Sequence, residues 1–228
     1  MIVDSMTHEE VFAELAKDRD NVERWYDHRA DEFHRMALKT HKFPVTWQLD
    51  YTSPRKNRYL ISVTCTRRNY DRYHAICIMA LRREERGYTA YLSHIGTETL
   101  IRKTVFLQHV FDRYAERLNV NKQGIDIIQY FLNNHTNGHI LEDHQLAGRS
   151  VRYNGRDHRF MAGDDGVLLG DIENGIFVFR TFITYEMATG LQREEFVNAK
   201  SKLYGLEEEI QRAQMMRSMK PKITINIM

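Results

Sequence analysis

The sequence predicts an α+β fold: antiparallel β-sheet packed against helices, with N-terminal helices at one end and a long C-terminal helix at the other. Three observations predict it. Apolar residues recur at three- and four-residue intervals near residues 8–39, 104–132 and 185–219. Between these stretches the period falls to two, over residues 43–95 and again over 149–184. Within each such block the strands are separated by short polar turns such as Asn174-Gly175, too short for the crossover connections of a parallel sheet.

Composition sets the bounds. The 228 residues are 42% hydrophobic, enough for a sizeable core, and divide into N-terminal helices (1–42), an α+β core (43–185) and a C-terminal helix and tail (186–228). Thirty-three Lys and Arg residues stand against 31 Asp and Glu, so no overall field attracts a polyanion and any nucleic-acid contact has to be local. Cys65 and Cys77 lie in apolar, β-branched surroundings without metal-ligand spacing, which suggests buried thiols in a reducing compartment. No signal segment and no run of about 20 apolar residues is present, so the expectation is a cytoplasmic protein with no membrane partner.

In chain order, Thr7-His8-Glu9-Glu10 has the form of a capping box opening a short helix through Val11, Phe12 and Leu15. A second helix over residues 21–39 carries Val22, Trp25, Tyr26, Phe33 and Met36. His28 shares a face with Glu32 or Asp31 there, but two ligands do not make a metal site. Val45, Trp47, Leu49 and Tyr51 then alternate, and strands over 58–66, 73–81 and 88–95 complete a meander. Its connections hold Arg55, Lys56, Arg58, Arg67, Arg68, Arg72, Arg82 and Arg83, which suit either solvated turns or phosphate contact.

Helices follow over residues 104–118 and 123–132, the second placing Ile125, Ile127, Ile128 and Phe131 in the core. His135, His139 and His144 would be the ligands of a metal hydrolase, but Asn137-Gly138 breaks the helix that would pair the first two, and a polar loop is expected. Short strands come next, with turns at Asn154-Gly155, Gly163-Asp164-Asp165-Gly166 and Asn174-Gly175. In the last strand strict alternation puts Phe177, Phe179, Thr181 and Ile183 on one side and Arg180, Phe182 and Thr184 on the other. A charged helix over 185–219, weakened at Gly190 and Gly205, leads to the alternating residues 223–228.

The chemistry concentrates in the helix over 104–118. Leu107, Phe111, Tyr114 and Leu118 form its apolar stripe, while His109, Arg113 and Arg117 are spaced by four and line up on another face. An imidazole can exchange a proton and a guanidinium offers paired donors to phosphate oxygens, so such a row suits a phosphodiester. As a plain solvated face, the same residues would trade weak ion pairs with Asp112 and Glu116.

The string His109-x-x-x-Arg113-x-x-x-Arg117, a second short helix, and antiparallel strands ending in Thr181-Phe182-Ile183-Thr184 resemble the toxin-like domains of the barnase, EndoU, colicin and RelE group of metal-independent ribonucleases. The resemblance covers about residues 103–185. It implies RNA as partner, no cofactor or metal, His109 as acid or base, Arg113 and Arg117 as phosphate holders, and Thr181 or Thr184 hydrogen-bonding the phosphate. His94, His158 and Lys103 are candidates for a second proton-transfer group. Those toxin-like domains typically begin with a phrase resembling His-Ala-x-x-Arg-Met-x-x-Arg, from which Val110 and Tyr114 depart, and the N-terminal helices and meander have no counterpart in the small domains. The competing reading is a non-enzymatic binding or assembly protein. It would use the meander surface and the C-terminal helix, with Met215-Met216, for a homodimer or a partner protein.

Overall fold

A computed structural model describes residues 1–65, 75–93, 103–135, 151–153, 156–190, 192–201 and 205. Helix α1 runs His8–Lys39, followed by β1 Val45–Thr52, β2 Arg58–Cys65, β3 Ala75–Arg83, β4 Tyr88–Ser93 and β5 Thr104–Phe106. Helices α2 Gln108–Arg117 and α3 Gly124–His135 come next, then β6 Val151–Tyr153, β7 Arg156–Ala162, β8 Val167–Glu173, β9 Ile176–Ile183 and a short 3₁₀ turn, Tyr185–Met187. The expected C-terminal helix starts later than residue 185, after the 3₁₀ turn and an extended Ala188; residues 192–201 are helical, and residues 202–204 and 206–228, with the Met215-Met216 seam, lie outside the described residues. The described helices include none long and apolar enough to cross a membrane.

Meander and later hairpins form one sheet of nine strands among the described residues, in the order β1-β2-β3-β4-β5-β9-β8-β7-β6. All neighbours are antiparallel except β5 and β9, where Thr104, Val105 and Phe106 pair with Phe177, Val178 and Phe179. The expected helix over 104–118 therefore begins later, at Gln108. Its first residues, Thr-Val-Phe, are β-formers buried in the sheet. Both faces of the sheet are covered by helices. Val11, Leu15, Val22, Tyr26 and Phe33 of α1 pack on Tyr59, Ile61, Val63, Ile78, Tyr91, Val105, Ile176 and Val178. On the opposite face Val110, Phe111 and Tyr114 of α2 and Ile127, Ile128 and Phe131 of α3 meet Leu60, Met79, Leu92, Phe106, Phe179 and Phe182. Each strand's alternation serves both layers, which is why β2 is buried along nearly its whole length.

α1 is one helix where the sequence predicts two. The capping box forms as expected, Thr7 N–H donating to Glu10 Oε2 at 2.8 Å and Glu10 N–H to Thr7 Oγ1 at 3.3 Å. The apolar stripe lapses after Leu15, but its next place, between Leu15 and Val22, is taken by Asp18, which is fully buried. The Asp18 carboxylate accepts from Ser53 Oγ at 2.5 Å, Asn57 Nδ2 at 2.8 Å and Tyr59 Oη at 2.9 Å on the β1–β2 hairpin, and from Asn21 Nδ2 at 2.9 Å on its own helix. A buried charge so surrounded continues the stripe by polar means. One turn earlier, Glu14 takes a bidentate pair from Arg55 at 2.9 and 2.8 Å.

The β8–β9 hairpin has the expected two-residue turn, Asn174 at φ 50° and Gly175 at φ 76°, as a type I′ turn requires. Farther along, the pairing slips: Leu169 opposes Thr181 while Gly170 opposes Phe179, so Arg180 is bulged out. A Cβ on Gly170 would lie 2.1 Å from the Val178 carbonyl oxygen, which explains glycine at the slip.

Burial pushes the Asp18 carboxyl upward and its four hydrogen bonds outweigh this, leaving it below its ordinary value; Arg55, foremost, holds Glu14 at about 2 against an ordinary 4.5. Both groups bind fewer protons folded than unfolded at acid pH. Their stabilisation is present above the ordinary carboxylate range and is lost as pH falls from 4.5 toward about 2. Asp18→Ala is expected to cost about 3–5 kcal/mol in urea unfolding at pH 7, because it strands buried donors, and the difference from wild type should shrink as the pH is lowered below 4.

Candidate functional site

β5 delivers α2. Leu107 N–H donates to the Phe179 carbonyl at 3.1 Å, and the chain turns into the helix with Leu107 at its N-cap, without a side-chain cap. Val110, Phe111 and Tyr114 are buried beneath it, and the Tyr114 ring lies 4.8 Å from Phe182. The Tyr114 hydroxyl donates to Asp165 Oδ2 at 2.8 Å and accepts from Asn134 Nδ2 at 3.1 Å, pinning α2 to α3 and to the β7–β8 turn. Burial pushes the Tyr114 phenol well above its ordinary range, which keeps it a neutral donor.

Against this buried side, the predicted row is brought together as a graded series. Each four-residue step turns about 40° round the helix, so the row winds from solvent toward the core. His109 is exposed, Arg113 is 37% exposed at its side chain, and Arg117 reaches far enough in that its Nη1 is buried with no hydrogen-bond partner among the described residues. Arg113 Nε–H donates to His109 Nε2 at 3.2 Å, and its Nη1 pairs with Glu116 Oε2 at 2.5 Å. An accepting Nε2 places the imidazole proton on Nδ1.

The predicted threonines fare differently. Because of the bulge at Arg180, strict alternation fails: Phe179 and Phe182 both face α2, while Thr181 opposes Leu169 and shares with Ile183 the other face, where Leu169, Ile183 and Phe196 pack. Thr181 is thus set across the sheet from the row. Thr184 hydrogen-bonds Glu186, whose own backbone N–H and this hydroxyl hold its carboxyl below the ordinary range. Lys103 lies over the Phe12 ring at 5.7 Å on the α1 side; His94 and the side chain of His158 lie outside the described residues.

Several basic turn residues are already committed: Arg55 to Glu14, Arg58 to Asp50 at 3.0 Å, and Arg82 to Glu84 at 2.8 Å. Lys56 and Arg83 are exposed, and Arg67, Arg68 and Arg72 lie outside the described residues. Among the described residues no three His, Cys, Asp or Glu side chains converge on a metal position; His139 and His144 are outside them.

Sequence reasoning missed two concavities. An open groove of about 1080 Å³ runs along the other flank of α2, where Asp112 and Glu116 face Arg83, Arg86 and Lys122; His109, Arg113 and Arg117 do not line it. A smaller cleft of about 280 Å³ sits at the start of α1, lined by His8 and Arg82 among others. In sequence His8 is merely the second residue of a capping box, and its neighbours in space come from strands 74 or more residues away, so local pattern carried no sign of it.

No protein-family model, curated protein or solved structure matches the chain.

The buried, unpartnered Arg117 Nη1 carries a desolvation cost that an apolar side chain would avoid. Arg117→Met is therefore expected to unfold at equal or higher urea concentration than wild type, by up to about 1–3 kcal/mol. Inorganic phosphate should raise the thermal midpoint of wild type more than that of the variant.

Proposed function

We propose that the outer flank of α2 binds an RNA phosphodiester and transfers protons on it through His109, as a metal-independent ribonuclease would. One observation carries the reading: the cation that would hold the phosphate, Arg113, is hydrogen-bonded to the nitrogen that would act as base, His109 Nε2. With Arg113 in place the only imidazole lone pair is occupied. A phosphate oxygen, competing for Arg113 against His109 and Glu116, draws the guanidinium away and exposes that lone pair. Capture of the anion and release of the base are then one event.

From there the chemistry follows the row. His109 Nε2 takes the proton of a ribose 2′-OH, the 2′ oxygen attacks the adjacent phosphorus, and the bond to the 5′ oxygen breaks. The leaving oxygen takes its proton from water, and a 2′,3′-cyclic phosphate remains. Charge growing on the phosphoryl oxygens is met by Arg113, with the Arg117 guanidinium the next cation along the row. Thr181, across the sheet, has no part in this arrangement, and Thr184 is occupied with Glu186.

Cleavage of single-stranded RNA is expected to persist in EDTA, to fall by about 10²-fold or more in His109→Ala, and to fall by a comparable factor in Arg113→Ala and Arg117→Ala. Glu116→Ala removes the competitor for Arg113 and should tighten RNA binding by about two- to fivefold. Cleavage unaffected by His109→Ala in the purified protein would overturn the assignment.

A further inference from the structure

We propose that the cleft at the start of α1 is a second binding site, for a small oxyanion held jointly by the Arg82 guanidinium and the His8 imidazole. It is independent of the row on α2. The two sites lie on opposite faces of the sheet: α1 covers the face bearing Tyr59, Tyr91 and Ile176, and α2 the other.

The geometry narrows the ligand. Arg82 comes from the end of β3, its side chain 11% exposed. Its Nε donates to Glu84 Oε1 at 2.8 Å and its Nη1 to the Met6 carbonyl at 2.9 Å, while Nη2 has no hydrogen-bond partner among the described residues and is not sealed from solvent. Two contacts thus fix the fork, and Arg82 lines the cleft. His8 is half-buried, and its Nδ1 lies 3.0 Å from the hydroxyl of Tyr91, a residue with no exposed surface. In the tautomer in which Tyr91 donates to Nδ1, the second imidazole nitrogen carries the proton and Nε2–H is a donor beside Arg82. The Arg82 guanidinium also sits 5.5 Å from the centre of the Tyr91 ring, so one tyrosine orients both donors.

Three carboxylates, Asp4, Glu9 and Glu173, line the same cleft, and two of them have partners of their own. Glu9 Oε1 accepts from Asn174 Nδ2 at 2.7 Å, and Glu173 pairs with Arg180, which also holds Asp171 at 2.7 Å. Asp4 is exposed at the rim. Burial first, and Arg82 next, hold His8 below its ordinary value against the pull of Glu173 and Glu9, so at neutral pH the imidazole donates as a neutral group. The donors offered to a ligand are then the Arg82 Nη2, beyond the pairing of its Nε with Glu84, and a neutral His8 N–H, in a space of about 280 Å³ that admits a single carboxylate or phosphate group and is too small for a folded partner.

NMR titration of the His8 imidazole tests this, with inorganic phosphate and acetate as separate probes at constant ionic strength. The expected result is a saturable shift of the His8 resonances with at least one probe, with phosphate alone or acetate alone identifying which oxyanion the site prefers. The shift should be reduced at least tenfold in affinity in Arg82→Gln and unchanged in His109→Ala. Arg82 is partly structural, so the Arg82→Gln spectrum must first show a folded protein; if it does not, Tyr91→Phe, which removes the orienting hydroxyl, is expected to weaken the same response. No saturable shift with either probe would overturn the proposal, as would a response untouched in the folded Arg82 or Tyr91 variant. A response lost in His109→Ala would also overturn it, by assigning the anion to α2. Because the two sites are read by different histidines, failure here leaves the ribonuclease reading standing, and the reverse also holds.

Discussion

Three residues, Thr104–Phe106, hold the two halves of the sheet together. β5 pairs with β4 through Ala90↔Phe106 and Tyr91↔Val105, and on its other edge runs parallel to β9. Remove those pairings and the meander and the later hairpins would each present an open edge, which sheets avoid. The strand is short, but it is fully buried between layers: Val105 faces α1 while Phe106 faces α2 and α3. Its direction also decides where α2 starts, since Leu107, one residue on, is tied to the Phe179 carbonyl. The aspect of the basic row is therefore a consequence of this junction.

The second constraint is polar. Asp18 and Glu14 bind α1 to the β1–β2 hairpin by charge-assisted hydrogen bonds where an apolar contact would be usual. Breaking buried pairs of this kind is costly although forming them gains little. Their value lies in register: a helix of 32 residues can slide along a sheet if only apolar ridges hold it, and a carboxylate with four specific donors allows one position. That position sets His8 against Tyr91 and Arg82, so the cleft at the helix start depends on a contact three turns away.

Legibility in the sequence followed the range of the interaction. The capping box at Thr7, the alternation of Val45 to Tyr51 and the Asn174-Gly175 turn are local and were readable. The merging of two strand blocks was not, because the β-propensity of three residues, Thr104-Val105-Phe106, is too short a signal to stand out against the helical period that follows at once. Asp18 misled in the other direction: a charge in an apolar stripe reads as a break until its partners on the β1–β2 hairpin, 35 or more residues on, are known. For the site, spacing alone brought His109, Arg113 and Arg117 together on α2. Thr181 could not be placed, because one bulged residue, Arg180, inverts the alternation on which its assignment rested.

The proposed ribonuclease chemistry turns on phosphate drawing Arg113 away from His109. Nitrogen-15 NMR of the His109 imidazole, recorded while a dinucleotide with a 2′-deoxy sugar is added, tests it most directly, because that ligand binds without being cleaved. The account predicts that Nε2 loses the Arg113 donor as the ligand saturates, with parallel shifts at the Arg113 and Arg117 guanidiniums. An imidazole that keeps its Arg113 hydrogen bond at saturating ligand, or a dinucleotide that perturbs neither arginine, would contradict it.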